Sequence, residues 1–172
     1  AQLDFNPLSF LHVLKPAFVN QQTIAYEKRY KQVQQKYQEF KDEVILVKDD
    51  KPAIYIHKII TKTESFTGII VGTSIEEYRN DIIKKHEDTI AFRVRLLKEY
   101  MKYSGFNTEP VLMTYPDNKT IENWIFNCTQ KQSDFEFSTT KKEIHYLWKI
   151  DDALEISWLQ NIFKKTNYLY IA

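Results

Sequence analysis

Hydrophobic positions recur along this chain with two clear periods, and the elements follow from them. Tyr26, Tyr30, Val33, Tyr37, Phe40 and Val44 are spaced alternately four and three apart, which predicts a helix from about Gln22 to Asp42 with one apolar face. Lys, Gln and Glu fill the opposite face. A tyrosine stripe at this spacing has two readings, a platform for stacked bases or packing against a sheet, and the second is the ordinary core signature. Upstream, Asn6-Pro7 signals a turn that leads into a short strand from Phe10 to Leu14, carrying His12 and closed by Lys15-Pro16. Downstream, Val44-Ile45-Leu46-Val47 reads as a buried strand ended by Asp49-Asp50-Lys51-Pro52. The β-branched and aromatic runs 53–61 and 66–73 flank Lys62-Thr63-Glu64-Ser65 as an antiparallel hairpin.

Ser74 and Glu77 have the spacing of a capping box, which predicts a short helix running towards Ile83. A further helix begins at Asp88 or Thr89, both good N-caps, and places Ile90, Val94, Leu97 and Met101 on its inner face before Ser104-Gly105 stops it. Residues 110–115 read as a strand ended by Pro116. Thr120 is positioned to cap a helix with Ile121, Trp124, Ile125 and Cys128 inward. Phe135 and Phe137, then Ile144, Tyr146, Trp148 and Ile150, alternate with polar neighbours, which predicts a second hairpin through Thr139-Thr140-Lys141-Lys142. Asp151 or Asp152 caps a last helix with Leu154, Trp158, Leu159 and Phe163 inward, and residues 168–172 begin a final strand. The pattern predicts an α+β fold, a mixed and largely antiparallel sheet with helices packed on it, as one domain over residues 1–172. Because the chain stops inside an apolar β-run, it is expected to be a fragment of a longer one.

Composition narrows the function classes. With 43% hydrophobic and 15% aromatic residues the chain can bury a core. Lys and Arg number 24 against 23 Asp and Glu, so the chain lacks the basic excess of a protein held on nucleic acid by phosphate contacts. No apolar run approaches the roughly 20 residues of a membrane span, and no signal peptide is visible, which points to a soluble protein. A single cysteine excludes an internal disulfide and makes the cytoplasm the default compartment. Cys128, on the apolar face of its helix, reads as a buried small hydrophobe rather than a nucleophile. His57 shares a strand face with Tyr55 and Ile59 and reads as a strand histidine, since no other ligand stands at metal-binding spacing. Three scattered glycines exclude a glycine-rich phosphate loop.

Reactive side chains concentrate in Lys84-Lys85-His86-Glu87-Asp88-Thr89 and the nearby Arg93. A helix N-terminus with cations around it attracts phosphate or carboxylate. The plain structural reading is a solvated polar turn between two helices, with Glu87 answering the dipole of the second. His12 and Tyr115, each at or near a strand end, are weaker candidates for the same cleft, against a packed-core role for both.

Four segments taken in order, Asn6-Pro7-Leu8-Ser9-Phe10-Leu11-His12-Val13, Lys84-Lys85-His86-Glu87-Asp88-Thr89 with Arg93, Glu109-Pro110-Val111-Leu112-Met113-Thr114-Tyr115 and Tyr168-Leu169-Tyr170-Ile171-Ala172, resemble the bacterial and archaeal family known as domain of unknown function 1015. In that family a Pro-Pro-Tyr-Asp segment precedes the Asn-Pro start and the last strand runs into Asp-Gly-His-His-Arg; neither motif is in this sequence. Ile56-His57-Lys58 also departs from the Tyr-Arg-Gln of relatives, so no role of that Gln transfers. The Asp-Gly-His-His-Arg motif is similar to the signature of ParB and sulfiredoxin-like domains, some of which bind nucleotides and one branch of which phosphorylates free serine. The resemblance implies a phosphoryl-handling enzyme, a kinase or phosphatase acting on serine, phosphoserine or a nucleotide-linked metabolite, with ADP or ATP and Mg2+ as the implied cofactors. In that reading Lys84, Lys85 and Arg93 hold an anionic group, Glu87 acts as general base or metal-associated carboxylate, His86 donates to the leaving oxygen and Thr89 caps and orients. The alternative is a noncatalytic module binding a ligand, nucleic acid or protein, or a homodimerisation insert.

Overall fold

A computed structural model describes residues 6–14, 26–85, 90–108, 110–166 and 168–172, and it is an α+β fold. The chain divides into two compact units, residues 1–48 with 87–109 and residues 49–86 with 110–172.

The first unit is helical. Residues 10–14, predicted as a strand, form instead a single turn of helix, α1 (Leu11–Leu14). Side chains decide this: Asn6 Oδ1 accepts from Leu8 N at 3.1 Å and Ser9 Oγ from Leu11 N at 3.3 Å, folding the backbone into successive turns. The helix α2 (Tyr26–Asp42) carries the expected stripe, with Val33 and Phe40 fully buried and Tyr37 packed beside them. Its predicted start at Gln22 lies outside the described residues. Among the described residues, the cluster around the stripe includes Val13 of α1, Tyr100 of α4 (Ala91–Ser104) and Phe106.

The predicted strand at Val44–Val47 is the capped end of α2. Ile45 N donates to Phe40 O at 2.9 Å and Val44 N to Lys41 O at 3.1 Å, the two bonds of a Schellman closure. Ile45 then packs back on the cluster that holds Phe40, which is where its apolar character is used. The closure needs a left-handed residue, and Val44 takes it at φ 59° while remaining exposed. For a β-branched side chain that is a strained conformation.

Helix α4 starts at Ala91, with Ile90 in the N-cap position and no side-chain cap bond; Asp88 and Thr89, the expected caps, lie outside the described residues. Its predicted inner face is corrected too. Ile90, Val94, Leu97 and Met101 are exposed, and the helix turns Tyr100 and Tyr103 towards Tyr30 of α2, with ring centroids 5.4 and 6.3 Å from it. Gly105 stops the helix as predicted, at φ 76° with its N–H on Met101 O.

In the second unit a four-stranded sheet has the order β2-β1-β6-β5, all antiparallel. The strands are β1 (Ile54–Ile60), β2 (Ser65–Ile70), β5 (Phe135–Ser138) and β6 (Ile144–Ile150), the two hairpins that the alternation predicts. One face is covered by α5 (Lys119–Cys128) and α6 (Ala153–Phe163). Ile54 meets Ile121 and Leu159 there, and Ile56 meets Cys128 and Trp148. Asn118, not Thr120, caps α5, accepting from Thr120 N and Ile121 N. Asp152 caps α6 through Leu154 N and Glu155 N. On α6 the predicted inner set splits: Leu159 is buried and Phe163 packs inward, whereas Leu154 is 81% exposed and Trp158 is also exposed. Ile156 and Ile162 take the inner positions.

A second, three-stranded sheet has the order β3-β7-β4: β3 (Ile83–Lys84), β7 (Leu169–Ile171) and β4 (Met113–Thr114). Of the predicted strand 110–115, only Met113 and Thr114 form one. Helix α3 (Ile75–Arg79) forms where expected, but Ser74 makes no side-chain cap bond, so the predicted capping box is not closed.

Two outcomes check this account. Replacing Val44 with Gly relieves the left-handed strain and stabilises the first unit by about 1 kcal/mol, net of the entropy glycine adds to the unfolded chain; urea denaturation showing a loss contradicts the helix closure. Leu159→Ala costs about 2–5 kcal/mol by leaving a cavity, whereas Leu154→Ala stays within about 0.5 kcal/mol. Equal losses at the two positions would restore the predicted α6 face.

Candidate functional site

The dibasic pair Lys84-Lys85 sits on β3 and at its exit. Ile83 is 2% exposed and anchors the strand, so alternation turns Lys84 outward. The strand exists because β7 lies alongside it in parallel, with Ile83 opposite Leu169 and Lys84 opposite Tyr170. Leu169 N also donates to Ile82 O at 3.2 Å. Lys85 follows directly after the strand and is exposed.

The Lys84 ammonium lies 4.8 Å from the centre of the Tyr168 ring and donates to Asp81 Oδ2. That hydrogen bond, with the carboxylate charge, raises the lysine pKa above its ordinary value, so Lys84 stays cationic at neutral pH. Asp81 reaches it from a left-handed turn at φ 60°, a conformation Asp tolerates better than most residues. Any anion approaching Lys84 therefore competes with a carboxylate.

The other predicted residues are spread along the chain. His86, Glu87 and Thr89 lie outside the described residues. Arg93 is exposed on α4 in the first unit. His12, also in the first unit and on α1 rather than a strand, donates from Nε2 to Asn6 O at 3.0 Å. Tyr115 belongs to the second unit, packed edge-on against Phe163 with centroids 5.2 Å apart in the cluster around Ile121 and Leu159. Burial first, then Glu122 and Asp117, pushes its hydroxyl pKa up and keeps it neutral. Desolvation likewise raises the Cys128 thiol, so it is a poor nucleophile. Among the described residues there is no group of three or more His, Cys, Asp or Glu placed to hold a metal ion.

One pair of chemically capable groups escaped the sequence reading. His57 Nε2 and His145 Nδ1 are 3.0 Å apart and share a hydrogen bond across β1 and β6. The only signal in the sequence was that both fall on outward positions of alternating strands; which residue of β6 stands near His57 depends on the strand register.

A family model matches the chain from residue 1 to residue 172, and its description is protein of unknown function (DUF1015). No curated protein and no solved structure matches the chain. The match spans every residue, including the four segments that carry the resemblance, and on it the chain belongs to the DUF1015 family.

Proposed function

We propose that this protein binds a small metabolite bearing a phosphate or carboxylate at the carboxyl end of β3 and handles its phosphoryl group. The observation that carries this is the placement of Lys84-Lys85 where β3 leaves its parallel partner β7. Ligands of open sheets with parallel strands gather outside the carboxyl ends of those strands, where the chain turns away and backbone and side chains become accessible. Two successive lysines there supply the cations that a dianionic group needs.

Lys84 and Lys85 are the two anion contacts, and Asp81 engages Lys84. His86, which follows directly in the chain, is the donor to the leaving oxygen. Glu87 and Thr89, like Arg93 and His12, belong to the other unit and are not part of the proposed site. Serine or phosphoserine is the substrate class that the family resemblance favours. For Mg2+ with ADP or ATP, the described residues offer neither a glycine-rich loop nor a cluster of metal ligands, and the proposal routes no step through them.

A noncatalytic binding module is the second reading, favoured by one observation. Phe66, Phe135 and Phe137 stand exposed on the sheet face opposite the helices, an aromatic surface of the kind protein partners cover.

Thermal shift of the full chain with inorganic phosphate, serine, phosphoserine, ADP and ATP, with and without Mg2+, separates the readings. The enzyme reading expects phosphoserine or a nucleotide to raise the melting temperature more than serine does. It also expects Lys85→Ala to weaken binding about tenfold or more, the worth of a charged hydrogen bond. His86→Gln lowers turnover while binding persists. No shift with any of these compounds would end the proposal; a shift without turnover in the unmodified protein selects the binding module. Asp81→Asn gives the reverse sign: it removes the carboxylate from Lys84 and tightens anion binding by up to about fivefold, the range of an exposed ion pair.

A further inference from the structure

The open face of the four-stranded sheet carries a hydrogen-bonded imidazole pair that neither the family assignment nor the proposed site uses. β1 and β6 run antiparallel with His57 opposite Leu147 and Ile59 opposite His145, so the two histidines are diagonal neighbours on one face. Ile54 and Ile56 fill the covered face, which leaves the histidines on the other. Phe137 of β5 stacks on His145 with centroids 4.7 Å apart and planes 7° apart. The Nε2 of His145 is buried and has no hydrogen-bond partner among the described residues. His145 is thus held by its neighbours. His57 has room: its partner across β2 is Gly68, and nothing lies within 4 Å of where a side chain would begin there.

We infer that His57 and His145 form a one-proton switch, closed while a single N–H bridges the two rings and opened when a second proton drives His57 out over Gly68. A neutral imidazole both donates and accepts, so the bridge survives with neither ring charged and with one ring charged. Once both are imidazolium, each nitrogen is a donor, no acceptor remains, and two cations face each other 3.0 Å apart. The other ionisable groups on this face, Tyr55, Lys149, Glu64 and Glu143, stand towards the ends of the strands. Tyr55 and Lys149 both engage Asp49, at one end of the strands, and the Glu143 carboxylate accepts from Thr139 at 3.1 Å at the other. Phe66 and Ile70 of β2 and Phe135 of β5 complete the surroundings without charge. Desolvation, and next the charge of His145, lowers the His57 pKa below 6.5.

The sign of the coupling to stability follows. His57 takes up its proton more readily in the unfolded chain than in the folded one, so the unfolded state binds more protons just below pH 6.5. Stability is full above that pH and falls as the pH drops through it.

The test is imidazole nitrogen NMR on the unmodified full chain from about pH 7.5 to 5. The expected result is a fixed pair of tautomers at the upper end and two coupled protonation steps about one pH unit or more apart. Two independent single steps, or tautomer averaging in both rings at the upper end, overturns the switch. Gly68→Val occupies the space into which His57 moves and shifts the second step to lower pH; an unchanged second step overturns the movement over Gly68. Between pH 7 and 5.5 the melting temperature of the unmodified chain falls, and His57→Gln reduces that fall; the same fall in His57→Gln counts against the switch.

Discussion

The second unit depends on burial being confined to one side of its four-stranded sheet. Ile54, Ile56 and Trp148 meet Ile121, Cys128 and Leu159 on the face covered by α5 and α6, while the alternation of the strands puts Tyr55, His57, Phe66, Phe135, Phe137 and His145 on the other. Sliding a strand by one residue would exchange those two sets and place two imidazoles and several rings where isoleucines now pack. The register is therefore held by the apolar face, and with it the distance between His57 and His145. A one-sided core does two things at once here. It stabilises the sheet, and it presents a face with aromatic and titratable groups to solvent.

A second constraint governs the basic site. β3 is two residues long and has no stability of its own; its pairing partner β7 comes from the far end of the sequence and brings Leu169 and Tyr170 to it, while Met113 and Thr114 close the other side. The buried Ile83 is the one apolar anchor that β3 contributes. From it the alternation turns Lys84 outward over Tyr168 and delivers Lys85 at the exit. Asp81 holds Lys84 there and raises its pKa.

What could be read in advance tracks the length of each periodic run. Both hairpins of the large sheet and the inner face of α5 were legible because alternation or helical spacing persists across whole elements. Apolar content without a partner was not enough elsewhere. Val44–Val47 has the composition of a strand, yet the backbone bonds to Phe40 and Lys41 wrap it around the end of α2. Helix α4 has an apolar arc wide enough for two faces, and the spacing does not say that Tyr100 and Tyr103 meet α2 in preference to Val94 and Leu97. On α6, Leu154 satisfies the period but stands on the first turn, away from Ile121. Caps were found within one or two residues: Asn118 in place of Thr120, and Asp152 as one of the two expected. For the candidate site, charge marked Lys84 and Lys85 as a basic locus but placed them in a turn between two helices, because a two-residue strand leaves no periodic trace. For His57 and His145 alternation gave the outward face but not the contact, which is a property of register between segments far apart in sequence.

The proposed function requires that the carboxyl end of β3 hold an anion. The most direct measurement is a backbone amide NMR titration of the full chain with inorganic phosphate. Saturable shifts are expected, largest at Lys84, Lys85 and the paired Tyr170. Shifts that never saturate, or that centre on residues away from β3 and β7, would contradict it.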